Sequence, residues 1–529
     1  MTRVLIRSGK SPFAVLSPEA SLARNGWGVF GANVGNLLFM SSVHRAVSVP
    51  GVEVVSNSLL TELPGVDKKY IERINSEFDS FVVPLANAFR PSFLSSLSRL
   101  TDVIKQLTVP VTVVGVGVQL PASAAVSDVS GEVQSATLEF ASAVLNRSAS
   151  IGVRGEVTRR YLRGLGIPDT AIDVIGCPSL FDNGPNLQVE KRTVTLTPAS
   201  AIAMNITPSV RAMAPIIDAN VRTYPNLIYV PQEHHELAMM MWGRKTLSPE
   251  DPRIPAHPEH PLFADDRARF FLDASTWVTY MRDVEFAFGT RIHGNIAALM
   301  AGTPAVVLTH DSRTLELAEY HCIPHRATTE LAEDVHASTL YEEADFSDFN
   351  KVHPRRFEVY RDFLNKNGVR NIFTAGNENP SYDAELASTP FPPPVQSIVV
   401  RGELCSRSVV DRLRWLRQGS DTDKRRVVDA YRPAFGLTVP ERPSVAALQR
   451  KCEEQGKRLA DVEREARERA AAATALAKQV NSLTSRLAQI EQEQRVTRKQ
   501  VKTLLESPYR RFKKKLRDVS AHLRKEDQT

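Results

Sequence analysis

Apolar residues over the first 375 positions alternate between two spacings. Short runs rich in β-branched residues, VEVVSNS from Val52, FDSFVVPL from Phe78 and VPVTVVGVGV from Val109, predict strands. Between them, Asn36–Val47 and Phe93–Leu107 carry helical spacing. The run from Val109 is apolar at successive positions, the pattern of a strand covered on both faces. ASIGVRGEVTRRYLRGLGI then predicts a strand end and a basic amphipathic helix closed by Gly166, and AIDVIGCPSLF from Ala171 a further strand. After a break at DNGPN (Asp182 onward) the alternation restarts. VTLTPAS, NLIYVPQ, VEFAFGT and TPAVVLTH predict strands, with RARFFLDASTWVTYMRD and HGNIAALMAG as helices. Alternation of this kind predicts an α/β fold with parallel sheets. Two successive halves, 1–185 and 186–375, predict two facing Rossmann-like domains, with ligands outside the carboxyl ends of the strands.

Beyond residue 375 the pattern changes twice. Residues 376–440 read as a Pro-rich linker, NENPSYDAELASTPFPPPV, followed by a short basic helix, SVVDRLRWLRQ. From Leu448 a heptad runs through Leu459, Val462, Leu476, Val480, Leu483, Leu487 and Ile490 to Leu504, interrupted by Gln455, Arg469, Gln494 and Thr497. It predicts a coiled coil within 441–506 and self-association through it, ended by Ser507-Pro508. Residues 507–529 read as a basic amphipathic tail, with Tyr509, Phe512, Leu516, Val519 and Leu523 on one face. An anionic membrane surface is the partner such a tail fits.

Composition refines this picture in three ways. The 42% hydrophobic and 24% charged content over 529 residues is that of a multidomain globular chain. The net charge of +6 is local: from Glu441 on, Lys+Arg outnumber Asp+Glu 22 to 13, whereas the preceding residues trail 44 to 47. A nucleic-acid role for the body therefore has no electrostatic support. Cys177, Cys322, Cys405 and Cys452 lie too far apart for a disulfide framework or a zinc site. The start, MTRVLIRSGKSPF, lacks a signal-peptide core, and the uncharged run Leu107–Ser127 is broken by Pro110 and Pro121 and reads as strand plus loop. The expectation is a cytoplasmic chain, peripheral on the inner face of the cytoplasmic membrane.

Four segments could carry chemistry. In FAFGTRIHGNIAALMAGTPAVVL, a strand ends at Gly289 and a turn of Thr290, Arg291, Ile292, His293 and Gly294 leads into a helix near Asn295. Helix-start N–H groups and a guanidinium attract an anion, and a histidine moves protons near neutral pH. A capped surface turn with an incidental histidine is the plainer reading. In GVFGANVGNLLFMSSVHRAV, Gly31, Asn33, Gly35 and Asn36 form a permissive loop, but the spacing fits neither a dinucleotide fingerprint nor a P-loop. Arg154 leaves a strand end in IGVRGE. In VPQEHHE, His234 and His235 are adjacent rather than four apart, so no metal site is expected, and Gln232 or His235 fits hydrogen bonding to a sugar or phosphate.

Together, GANVGN, VVGVGVQ, IGVRGEVTRRYLRGLG, IGCPSLF and above all TRIHGNIAALMAGTPAVVL with DSRTLELAEYHCIP resemble the polysaccharide pyruvyl transferase family over about residues 20–330. The resemblance implies two facing Rossmann-like domains of the GT-B type. It implies transfer of pyruvate from phosphoenolpyruvate, a co-substrate, to a hexose of a cell-surface polysaccharide or its lipid-linked precursor, with no other cofactor. It places Arg291, Thr290, Gly294, Asn295 and a second cation, Arg154, at phosphoenolpyruvate, with His293 as general acid. The acceptor falls to Gly31, Asn33, Gly35, Asn36, Asn87, Gln232 and His235, and Glu233, Glu236 and His235 compete as base. Pro84-Leu85-Ala86-Asn87 replaces a glycine-rich turn common in the family, which leaves the acceptor pocket open. A GT-B nucleotide-sugar glycosyltransferase and a non-catalytic coiled-coil scaffold are the competing readings.

Overall fold

The computed structural model describes residues 2–22, 29–31, 33–120, 129–243, 251–400, 403–404, 409–410, 413, 433–437 and 445–526. The chain divides into two units, Met1–Thr438 and Val439–Thr529. In the first, strands β1 (Thr2–Ile6), β2 (Val52–Ser56), β3 (Ser80–Pro84) and β4 (Val111–Val114) form a parallel sheet of order β2-β1-β3-β4. A parallel pair, β5 (Ile151–Val153) and β6 (Ile172–Val174), continues it. Gly115 and Val116 N–H donate to the Gly152 carbonyl at 2.8 and 3.0 Å. Strands β7 (Ile202–Asn205), β8 (Leu227–Tyr229), β9 (Phe286–Gly289), β10 (Ala305–Thr309) and β11 (His325–Ala327) form a second parallel sheet of order β11-β10-β9-β7-β8.

Central strands β4, β7, β9 and β10 are buried at every position, as continuous apolar runs require. The Leu94–Gln106 helix shows the complementary pattern: Leu97, Leu100, Thr101, Val103 and Ile104 are buried at spacings of one face. Each large aliphatic side chain so buried contributes about 1.5–3 kcal/mol. The Ser347–Lys366 helix ties the halves together. Its Phe349 packs in the core of the second sheet, while Phe357, Tyr360, Phe363 and Leu364 pack with Val4, Ile6 and Val82 of the first.

Several expectations are corrected. VTLTPAS is not a strand: Val194 is exposed, and the second sheet is entered only at Ile202, where four consecutive side chains are buried. The helix expected over RARFFLDASTWVTYMRD begins at Ala274, because Asp273 caps it by accepting from Thr276 N–H at 2.7 Å. The residues before it run extended: Tyr229 donates through its N–H to Arg267 O at 2.7 Å and accepts at its carbonyl from Arg269 N–H at 2.9 Å. Strands β1 and β11 were not predicted; both lie beside better-marked strands that supply their hydrogen bonds.

The stretch read as a linker is built into the first unit. Its Pro380–Ser388 helix is capped by Asn379, Asp383 pairs with Arg45 at 2.8 Å, and Val395 exchanges backbone bonds with Phe270. Further along, Phe435 packs on Tyr70 and Phe78. SVVDRLRWLRQ lies almost wholly outside the described residues. In the second unit, Ser507-Pro508 does not end the helix, which runs as one element from Val445 to Glu526. A proline inside a helix forfeits one hydrogen bond and strains one turn, but does not oblige the chain to stop. At 1.5 Å per residue its 82 residues span about 120 Å. No helix among the described residues is long and apolar enough to cross a membrane.

Candidate functional site

The loops that follow strands β3, β5, β6, β8, β9 and β10 converge, as parallel α/β sheets dictate. They bring Arg90, Arg154, Cys177, Glu233, Arg291 and Arg313 into one electrostatic neighbourhood around His293. Hydrogen bonds between the halves gather here, and three of them fix the approach. Val34 N–H donates to Gln232 O at 2.8 Å; Leu120 N–H donates to Ser312 Oγ at 2.9 Å; Thr158 N–H donates to Glu316 Oε2 at 3.1 Å.

Arg291 is the N-cap residue of the Ile292–Met300 helix. Its N–H donates to Asn205 Oδ1 at 3.0 Å, its Nε donates to Ile206 O at 3.2 Å, and its guanidinium pairs with Glu233. His293 sits one residue inside the helix. A Cβ on Gly35 would lie 2.7 Å from His293 Cβ, so glycine is what lets the start of the Gly35–Val47 helix approach the imidazole. His293 Nε2 faces Cys177 Sγ at 3.9 Å. Burial, with Arg154, Arg313 and Arg291 nearby, pushes the His293 pKa down to about 3. The ring is neutral at neutral pH.

Arg154 is 4% exposed, and its Nε has no hydrogen-bond partner. Gly117 makes room for it: a Cβ there would lie 2.2 Å from Arg154 Nε. Glu316 Oε1 is 3.9 Å away, and burial pushes the Glu316 carboxyl up to about 7, so the arginine is only partly compensated. Burial pushes Arg90 down to about 10, with Arg313 and Arg154 adding to the shift. Its buried Nε also lacks a partner. Arg313, in contrast, is paired with Asp311 at 2.5 Å. Two paired and two under-compensated guanidiniums beside a neutral imidazole favour a small, multiply charged anion.

The structure sorts the residues expected at phosphoenolpyruvate. Arg291, His293 and Arg154 come together. Thr290 and Asn295 are buried in the turn itself, Thr290 Oγ1 accepting from Thr207 N–H at 2.7 Å and Asn295 Nδ2 donating to Gly289 O at 2.9 Å. Gly294 is a packing glycine, where a Cβ would lie 2.5 Å from Asn205 Cγ. These three hold the turn rather than face the anion site, because their polar groups are already engaged or their space is filled.

Of the residues expected at the acceptor, Gly35 adjoins His293, and Asn33 forms a β-bridge with Glu233. Asn33 Oδ1 accepts from Gly35 N–H, and Asn36 Nδ2 donates to Phe30 O and Gly31 O, so both asparagines shape the loop, which turns at Gly31 with φ +57°. Asn87 donates to Gln119 at 2.8 Å in the turn that carries Arg90. Gln232 is buried with an unpartnered Nε2, and His235 Nδ1 lies 3.6 Å from Glu233 Oε2. Glu236 is excluded as a base: it is buried, bonded to the Tyr229 hydroxyl, and accepts from Gln232 and Glu233 N–H. A cavity of about 510 Å³ elsewhere, at the far end of the Gly35–Val47 helix, is lined by Arg45 and Asp383, which already pair with each other. It does not compete for an anion.

Arg90, Cys177, Arg313 and Glu316 were not singled out from the sequence. The only signal for the two arginines was their position a few residues after a predicted strand.

The protein is an α/β protein whose strand ends gather arginines near one histidine. Residues 55–312 match the family model of polysaccharide pyruvyl transferase, a match that indicates an enzyme. The sequence has no match among curated proteins. Similar solved structures include a UDP complex of S. aureus MnaA, at 12% identity and TM-score 0.33, covering 79% of this chain and 97% of that one. UDP-GlcNAc 2-epimerase of Neisseria meningitidis is 10% identical with TM-score 0.37, over 69% and 100% of the two chains. Anabaena Alr3699/HepE with UDP and glucose is 12% identical with TM-score 0.34, over 73% and 100%.

Proposed function

We propose that the protein transfers pyruvate from phosphoenolpyruvate to two hydroxyls of a hexose in a cell-surface polysaccharide or its lipid-linked precursor. The observation that carries this reading is a pair of under-compensated guanidiniums, that of buried Arg154 next to His293 and that of half-buried Arg90 next to Arg154. Phosphoenolpyruvate brings a phosphate and a carboxylate on one three-carbon frame. Arg154, Arg90 and the paired Arg291 and Arg313 would hold both groups. A proton delivered to the methylene carbon leaves positive character on the central carbon, which one sugar hydroxyl attacks. Phosphate then departs with the C–O bond electrons, and the second hydroxyl closes the ketal. His293 is the proton donor, Glu233 or His235 takes the proton of the first hydroxyl, and the proton of the second leaves on the departing phosphate. No metal enters these steps.

The reading is tested by thermal shift with phosphoenolpyruvate, pyruvate, inorganic phosphate, UDP and a panel of nucleotide sugars. Ligand at one hundred times its Kd stabilises by about 2.7 kcal/mol. The expected result is a shift of several degrees with phosphoenolpyruvate and little with UDP. The reverse order would make the chain a nucleotide-sugar enzyme.

The same reading includes self-association through residues 448–504. Leu459, Val462, Leu476, Val480, Leu483, Leu487 and Ile490 are exposed on the single helix at heptad spacing, and a second copy would cover them. Sedimentation of the full chain should give a dimer, and the L483D/L487D variant a monomer. A monomeric wild type refutes self-association.

A further inference from the structure

The second unit carries a surface that pyruvyl transfer does not use. Tyr509, Phe512 and Leu516 stand three and four residues apart on one continuous helix, and so share a face. They are 66%, 63% and 54% exposed. Between and beside them come Arg510, Arg511, Lys513, Lys514, Lys515 and Arg517, and no acidic residue occurs from Tyr509 to Arg517. Upstream, the same helix is balanced: Arg464, Arg467 and Arg469 pair with Asp461, Glu463 and Glu465. The heptad apolar residues there are aliphatic, whereas two of the three here are aromatic.

We propose that residues 509–517 bind the surface of an anionic lipid bilayer. The helix lies along the interface, with Tyr509, Phe512 and Leu516 turned into the headgroup–acyl boundary and the basic side chains on lipid phosphates. Aromatic rings prefer that boundary, where one end is apolar and the other wet. Three apolar side chains alone would anchor a helix poorly, but six cations supply the missing attraction. Nucleic acid would be drawn to the same charges, and unpaired bases can stack on the two rings, but only a bilayer interface also takes up Leu516 along the same face. A second copy of the helix is also disfavoured, because six like charges would face six. The inference stands on this segment alone and is independent of the catalytic reading.

The test is flotation of the full-length protein with phosphatidylcholine vesicles and with vesicles containing phosphatidylserine. The expected result is binding to the second only, reversed by about 0.5 M salt as the charges are screened. Each basic residue replaced by glutamine should lower partitioning about fivefold, and replacing all six should abolish it. The F512S/L516S variant should lose about tenfold or more with all charges retained, each buried side chain being worth about that factor. Its far-UV circular dichroism and melting temperature should match wild type. Absence of flotation with anionic vesicles overturns the proposal. So does tight binding to single-stranded RNA in place of vesicles, or an F512S/L516S protein that floats like wild type.

Discussion

Replacing His293 with glutamine should lower pyruvyl transfer by about 10²–10⁴-fold, the range for loss of a general acid, while phosphoenolpyruvate still binds. The imidazole is the only proton carrier at the start of the Ile292–Met300 helix, but it begins in the wrong state. Burial and the three nearby arginines hold its pKa at about 3. A bound phosphate and carboxylate cancel that repulsion, so its pKa rises on binding and the complex takes up a proton. The sign follows: wherever the bound form holds more protons than the free form, affinity increases as pH falls. Calorimetry in two buffers of different ionisation enthalpy measures this uptake. The ligand's own phosphate titrates in both proteins, so the difference between wild type and H293Q isolates the ring. Equal uptake in both, or wild-type turnover by H293Q, removes His293 from the acid role.

Arg154→Met should separate stability from binding. The wild-type guanidinium is buried, its Nε is unpartnered, and its nearest carboxylate is 3.9 Å away. A methionine of similar length removes the desolvated charge and fills the space over Gly117. Glu316 is the remaining concern, since breaking a buried pair strands the partner. Its carboxyl titrates at about 7, so at pH 6 it accepts a proton and is not stranded as a charge. At that pH the variant without ligand should melt at or above wild type, a gain on the order of 1–4 kcal/mol. Its Kd for phosphoenolpyruvate should rise at least about 30-fold, as for loss of one buried charge partner. The advantage should shrink above about pH 7, where wild-type Glu316 ionises beside Arg154 while the variant's carboxyl, without the cation that lowers it, stays neutral. A variant that retains the full thermal shift with phosphoenolpyruvate, or melts far below wild type at pH 6, contradicts this account.

Much of the site's frame is local in sequence and was legible there. Gly289 ends β9 with φ +145°, in a position where a Cβ would lie 1.7 Å from Asn205 O. The strand–turn–helix from Phe286 to Met300 is therefore marked by its glycines and its change of period. Strand-end placement of Arg154 and Arg291 followed from the same alternation. Which side chains of the turn face inward was not legible, because residue type does not fix direction. Thr290, Arg291, His293 and Asn295 are all polar, yet Thr290 and Asn295 are bonded to Thr207 and Gly289 within the turn, Arg291 pairs with Glu233, and His293 faces Cys177.

The sequence by itself determined the alternation of strands and helices, the break between two α/β halves, the heptad and the basic end, since each depends on residues close together in the chain. Only the tertiary structure decided that Arg154 and Arg313, far apart in the chain, act on one histidine, and that Glu236 is spent on a helix cap. It also turned the proline-rich stretch into a strap and carried the last helix through Pro508. Convergence, burial and the pairing of charges arise between distant segments, and no local pattern of residues encodes them.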